Sequence, residues 1–134
     1  YTLFKGDVEV ELMNRMGYDA ATIGNHEFDF GLDNLARLLR KAEFPVVCAN
    51  YDFSGTPVAG LVKPYVILHR NGLKIGVFGV SPRLEGLVAA DNYGGVHRPC
   101  RGCPLYGKVA EAPETLRRDS LPVASGMGAD ARRR

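Results

Sequence analysis

Apolar side chains recur at helical spacing in two stretches of the first third of the chain. In the first stretch the recurring residues are Val8, Leu12, Met13 and Met16. This spacing predicts a helix from residue 8 to about residue 17, with Asp7 as its N-terminal cap and Gly17 as its stop. The second stretch predicts a helix over 32–42. Its apolar stripe consists of Leu32, Leu35, Ala36 and Leu39, and basic residues occupy the last turn.

Short apolar runs between turn-forming residues predict strands. Residues 19–24 and 44–49 each give a short buried strand, one before and one after the second helix. Further along, the apolar runs 65–69 and 73–80 flank Asn71-Gly72, a strong signal for a β-hairpin. Helix, strand, helix and strand followed by a hairpin favour an α/β fold, a layered domain with a mixed sheet.

Charge divides the chain into two compositions. Residues 1–96 carry 9 Lys and Arg against 11 Asp and Glu, whereas residues 97–134 carry 8 against 4. The whole chain has a formal net charge of +2, which does not by itself favour a nucleic-acid-binding protein. No apolar run approaches the roughly 20 residues that a membrane helix needs. We therefore predict a domain over 1–96 and a separate basic tail over 97–134.

Two alternative functions concern that tail. Its seven arginines suggest a module that binds nucleic acid, but they are scattered around a single aromatic residue, Tyr106. His97, Cys100 and Cys103 suggest a small zinc-binding element, which lacks the second pair of ligands of a structural zinc site. Three cysteines in total are an odd number and give no disulfide framework. Cys48 lies in an apolar run and is expected to be buried.

Polar residues with candidate chemistry are concentrated at 24–29, GNHEFD, between a predicted strand and a predicted helix. Ligands of open α/β sheets bind at the carboxyl ends of strands, and a helix N-terminus favours a phosphate there. Asn25 offers an amide oxygen, and Asp29 is close enough to hold the His26 ring in one tautomer. Gly24 permits a sharp turn, and Glu27 adds a carboxylate. A capped helix start with one hydrogen-bonded histidine explains the same residues equally well.

Another polar residue, Asn50, ends the next predicted strand and is a candidate to line the same cleft, together with Gly24 and Glu27. His69 on the hairpin is interpreted as a cross-strand neighbour. Arg83, which follows Ser81-Pro82, is interpreted as a surface residue.

The GNHEFD segment resembles the signature of the 5'-nucleotidase family of calcineurin-like metallophosphatases, including bifunctional UDP-sugar hydrolases/5'-nucleotidases. The resemblance extends over most of 1–96, with MGYDA before the segment and CAN after it. It implies part of an α/β/β/α catalytic domain and two divalent metal ions (Zn, Mn, Mg or Ca). It also implies hydrolysis of nucleoside 5'-monophosphates. By resemblance, Asn25 is a metal ligand, His26 contacts the phosphoryl oxygens, and Asp29 orients His26.

Further metal ligands of this family would precede Tyr1 or follow residue 96, so we expect a fragment that is inactive by itself. The resemblance also implies export to the periplasm or the cell surface. From His97 onward the apolar pattern is lost, and we favour a reading-frame slip over a natural disordered basic tail. A one-base shift at Met127-Gly128 permits a tryptophan codon, and the same shift from Leu116 permits an apolar strand ending in Ser-His-Leu-Gly. The gene's nucleotide sequence decides between these two interpretations.

Overall fold

Both predicted helices form in the computed structural model, which describes residues 3–97. Helix α1 covers Asp7–Met16 and helix α2 covers Gly31–Lys41. Gly17 ends α1 in the left-handed conformation (φ 69°), which confirms the predicted stop. The predicted cap is wrong, because Gly6 occupies the N-cap position and Asp7 is already helical.

Asp7 instead connects the two helices. Its Oδ1 accepts a hydrogen bond from Arg37 Nη1 at 2.5 Å and another from Lys41 Nζ, both on α2. These two hydrogen bonds, Arg37 first, lower the pKa of the Asp7 carboxyl from 3.8 to about 2. Asn14 adds a second link, because its Nδ2 donates to the Lys41 carbonyl at 2.9 Å. Polar contacts therefore attach α1 to α2.

This link makes part of the chain's stability depend on pH. A carboxyl whose pKa is lowered on folding stabilises the folded state above its ordinary pKa and ceases to do so as the pH falls through the folded value. The free-energy difference between the parent chain and Asp7→Asn is expected to be constant above about pH 5. It should shrink between about pH 4 and pH 2 and vanish below that.

Urea unfolding of both proteins at several pH values measures this difference. Glu11→Gln is the matched control. Glu11 is also a carboxylate of α1, but it pairs within that helix, with its Oε1 2.9 Å from Arg15 Nε. A gap between the parent and Asp7→Asn that stays the same down to pH 2 contradicts the assigned role of Asp7.

The described strands form one parallel and one antiparallel sheet. The parallel sheet has the order β1 (Ala21–Thr22), β2 (Val46–Val47) and β3 (Val62–Lys63). The antiparallel sheet pairs β4 (Tyr65–Arg70) with β5 (Leu73–Phe78). The predicted α/β class is confirmed. Parallel and antiparallel pairs lie in separate sheets, and β1 and β2 are shorter than the apolar runs that predicted them.

The hairpin follows the sequence prediction closely. Asn71 and Gly72 both have positive φ values, 49° and 79°, which is the conformation of a type I′ turn. Beyond β5, the chain turns back onto the parallel sheet, and the Ala49 N–H donates to the Gly79 carbonyl at 2.8 Å. This hydrogen bond connects the end of the hairpin to the end of β2.

The hydrophobic core lies around α2 and the parallel strands. Its largest fully buried side chains are Phe28, Ile23, Leu35, Val47 and Val58. Cys48 is buried, as expected from its apolar run. By contrast, α1 has no buried residue, and its outer face exposes Val8, Leu12 and Met16. Neither described helix is long and apolar enough to cross a membrane.

The predictions about the tail lie largely outside the described residues. Cys100, Cys103 and the arginines beyond residue 97 are not among them, and the boundary between 1–96 and 97–134 stays a prediction. His97 is described. Its backbone pairs with that of Asp52, whose N–H donates to the His97 carbonyl at 2.7 Å.

Candidate functional site

The candidate site lies where the carboxyl ends of β1 and β2 meet the segment that follows β5. Residues 24–29, here called the site loop, follow β1 directly. Ile23 is buried just before the loop, and Phe28 is fully buried within it. These two side chains fix the loop to the core, so its polar residues are held at the edge of the sheet.

The backbone of the site loop forms a tight turn and a short 3-10 helix, His26–Phe28. Glu27 closes the turn, since its Oε2 accepts a hydrogen bond from the Gly24 N–H at 2.7 Å. A Cβ at Gly24 would lie 3.0 Å from the same oxygen, so a larger residue would crowd this bond. The structure thus gives both residues a role in shaping the loop, and their predicted place in a cleft lining stays a prediction.

His26 and Asp29 form a pair on the outside of the loop. His26 Nδ1 lies 2.9 Å from Asp29 Oδ2. Because an ionised carboxylate only accepts hydrogen bonds, Nδ1 is the donor and Nε2 is left for a ligand. The His26 side chain is 76% exposed and that of Asp29 is 40% exposed, so a ligand in solution has access to the ring.

Asn25 lies beside this pair, at the N-cap of the 3-10 helix, and is half-buried. Its side chain makes no capping hydrogen bond within that helix, so the amide oxygen is not used to cap it. Among residues 3–97, no group of three or more His, Cys, Asp and Glu is placed to hold a metal ion. One amide oxygen is too little for a divalent cation, so the described residues alone do not fit a two-metal centre.

Asn50 is buried, with 7% of its surface exposed, and both ends of its amide are engaged. Its Nδ2 donates to the Ser81 carbonyl at 2.7 Å, and its Oδ1 accepts from the Ser81 N–H at 2.8 Å. The amide thereby joins the end of β2 to the segment after β5. Its predicted position in the cleft lining stays a prediction.

Two residues near the site were not identified from the sequence. Ser81 is 2% exposed and its Oγ donates to the Ile23 carbonyl at 2.5 Å. Asn92, in the 3-10 helix Ala90–Tyr93, donates from Nδ2 to the Asp29 carbonyl at 2.9 Å. The only sequence signal for Ser81 is its place as the first polar residue after an apolar strand. The sequence holds no comparable signal for Asn92.

His69 and Arg83, the two other residues considered from the sequence, have their contacts outside the site loop. His69 is exposed on β4, opposite Lys74 of β5, in agreement with its interpretation as a cross-strand neighbour. Arg83 is exposed and lies 3.5 Å from Glu85, measured from Nε to Oε2.

Comparison with known proteins shows similarity to 5'-nucleotidases. The chain is 44% identical over 81 residues to a probable 5'-nucleotidase of Treponema pallidum, which covers 60% of this chain and 14% of that protein. It is 39% identical over 87 residues to the snake venom 5'-nucleotidase of Gloydius brevicauda, a match that covers 62% of this chain and 15% of that protein. The chain therefore spans about a seventh of these relatives. No family model matches it.

Solved structures show the same relationship. A 5'-nucleotidase precursor from Thermus thermophilus superposes with a TM-score of 0.66 at 28% identity, over 87% of this chain and 22% of that one. The NAD nucleotidase of Haemophilus influenzae gives a TM-score of 0.64 at 26% identity, over 90% of this chain and 23% of that one. These matches, together with the GNHEFD loop at the carboxyl edge of parallel strands, show that the chain is similar to one segment of 5'-nucleotidases.

Proposed function

We propose that this chain is part of a metal-dependent phosphohydrolase that releases phosphate from nucleoside 5'-monophosphates. The observation that carries the proposal is the site loop, where an exposed imidazole is paired with a carboxylate beside a half-buried amide. The relatives that share this stretch are named 5'-nucleotidases, which supports a nucleotide substrate. They do not favour the alternatives based on nucleic-acid or zinc binding by the tail.

The residues of the loop have distinct roles in this proposal. Asn25 would supply one oxygen ligand to a metal ion. His26 directs Nε2 towards the phosphoryl oxygens, where it stabilises the negative charge that develops in the transition state. Asp29 holds Nδ1 and thereby fixes the direction of Nε2. The chain's own contribution is thus to bind and orient the phosphoryl group.

The 134-residue chain by itself is proposed to be inactive. Its described residues supply too few ligands for two divalent ions, and in this proposal the remaining ligands come from other parts of a longer protein. Export to the periplasm or the cell surface is part of the same proposal, and snake venom proteins are among the relatives.

A chimera tests the proposed function directly. Residues 3–97 of this chain replace the matching segment of the Thermus thermophilus 5'-nucleotidase, which supplies the rest of the fold. The chimera is expected to release phosphate from adenosine 5'-monophosphate when Zn²⁺, Mn²⁺, Mg²⁺ or Ca²⁺ is added, and to lose this activity with a chelator. The isolated 134-residue chain is the comparison and is expected to release none.

Two outcomes contradict this proposal. A chimera that folds and binds metal but leaves every nucleoside monophosphate intact contradicts the hydrolase assignment. Metal-dependent hydrolysis by the isolated chain contradicts its inactivity.

A further inference from the structure

The site loop is held at both of its ends by side chains from one distant segment. At its start, Ser81 Oγ donates to the carbonyl of Ile23, the residue just before the loop. At its end, Asn92 Nδ2 donates to the carbonyl of Asp29, the last residue of the loop. Both donors come from the stretch after β5, more than fifty positions along the chain from the carbonyls that they bind.

Ser81 is itself held in place from two sides. The amide of Asn50 bonds to both the N–H and the carbonyl of Ser81, at 2.8 and 2.7 Å. Cys48 Sγ lies 3.2 Å from Ser81 Oγ in the same buried cluster. Buried hydrogen bonds of this kind allow few alternative arrangements, because breaking one leaves a polar group unsatisfied. The hydroxyl therefore fixes the position of the Ile23 carbonyl from a rigid base.

The two end contacts add to the restraints within the loop, which include the buried Phe28 side chain and the hydrogen bond between Gly24 and Glu27. Phe28 is the one fully buried side chain within it, whereas the functional pair His26 and Asp29 faces the solvent. A displacement of about 1 Å at a reacting group lowers rates by orders of magnitude. The direction of the His26 ring thus depends on where the two ends of the loop are held.

We propose that Ser81 and Asn92 are positioning residues for His26 and that they act by holding the two ends of the site loop. This inference rests on the proposed function for its catalytic meaning, but the restraint of the loop can be measured without catalysis. The variants are Ser81→Ala and Asn92→Ala, each of which removes one donor.

Each variant has a matched control. Asn14→Ala removes an amide-to-carbonyl hydrogen bond of the same length, between α1 and the end of α2. Ser54→Ala removes a hydroxyl that donates to Asp52 Oδ1 in an exposed turn. Both controls leave the site loop and its two end contacts intact.

The first readout is the loop itself, in the 134-residue chain. Amide exchange at Phe28 and Asp29, whose N–H groups donate to the Asn25 and His26 carbonyls, is expected to become roughly 3- to 10-fold faster in each variant. The ¹⁵N resonances of the His26 ring should shift towards a mixture of tautomers as its contact with Asp29 loosens. The two control variants should leave exchange and ring resonances as in the parent chain.

The second readout is catalysis in the chimera, where Asn92→Ala is expected to lower kcat about tenfold with little change in KM. Ser81→Cys, which keeps a weak donor of similar size, should restore part of the activity that Ser81→Ala loses.

If Ser81→Ala fails to fold, the Asn92→Ala variant tests the proposal, because the hydrogen bond of Asn92 is exposed. Unchanged loop exchange and unchanged His26 resonances in a folded Asn92→Ala chain overturn the proposal. The two proposals can fail separately. If loop exchange becomes faster in the variants but the chimera hydrolyses no nucleotide, the restraint of the loop is supported and only the proposed function is refuted.

Discussion

In the chimera, His26→Gln is expected to lower kcat for a nucleoside monophosphate by roughly 10²- to 10³-fold, with a much smaller change in KM. Removing one preorganised group that stabilises transition-state charge has an effect of this size. His26 is suited to that role because Asp29 contacts one ring nitrogen and the side chain is largely exposed to solvent. Initial rates measured over a range of substrate concentrations separate the two constants.

His69→Gln is the matched control for this substitution, because it makes the same change on the exposed hairpin. It should leave both constants unchanged. Asp29→Asn is expected to have an intermediate effect, since an amide can present either its oxygen or its NH₂ group to Nδ1 and no longer fixes the tautomer. Equal rates for the chimera and its His26→Gln variant would remove His26 from the mechanism.

Gly79→Ala is expected to destabilise the chain by about 3 kcal/mol or more, at the upper end of what overpacking costs. Gly79 is buried where the segment after β5 crosses the ends of β1 and β2. A Cβ there would lie 2.5 Å from the Val47 carbonyl oxygen and 2.6 Å from Thr22 Cβ. The backbone oxygen cannot move without breaking the sheet, so the strands would have to separate.

Gly94→Ala is the control for this effect. Its φ of −51° suits any residue, and a Cβ would meet nothing within 4 Å. Its free energy of unfolding should differ from that of the parent by less than about 0.5 kcal/mol, as for ordinary surface changes. Urea unfolding followed by circular dichroism compares the two variants. Equal stability of Gly79→Ala and the parent chain would contradict the close packing of Gly79 against Val47 and Thr22.

Local patterns predicted the helices and the hairpin well. The spacing of apolar residues located α2 to within one residue at each end, and Asn71-Gly72 located the hairpin turn. The prediction of Asp7 as a cap is wrong for a nonlocal reason. Arg37 and Lys41 bind its carboxylate from another helix, and no pattern near residue 7 indicates that they will be close.

The candidate site shows the same division between local and distant information. The pairing of His26 with Asp29 follows from their three-residue separation, and the structure places their side chains in contact. The contacts of Ser81, Asn92 and Asn50 depend on how the segment after β5 returns to the parallel sheet. Hydrogen bonds of this kind are set by the tertiary fold, so a single sequence cannot reveal which distant side chains hold the loop.

The attachment of α1 depends partly on charge, unlike the packing of the rest of the domain. This helix has no fully buried side chain: Met13 packs partly against the core, and the charged contacts of Asp7 and the amide of Asn14 connect the helix to α2. Exposed charge pairs weaken as dissolved salt screens them, whereas the apolar packing around α2 does not. In concentrated sodium chloride, the link between α1 and α2 is therefore expected to weaken, so that α1 opens more readily than the centre of the domain.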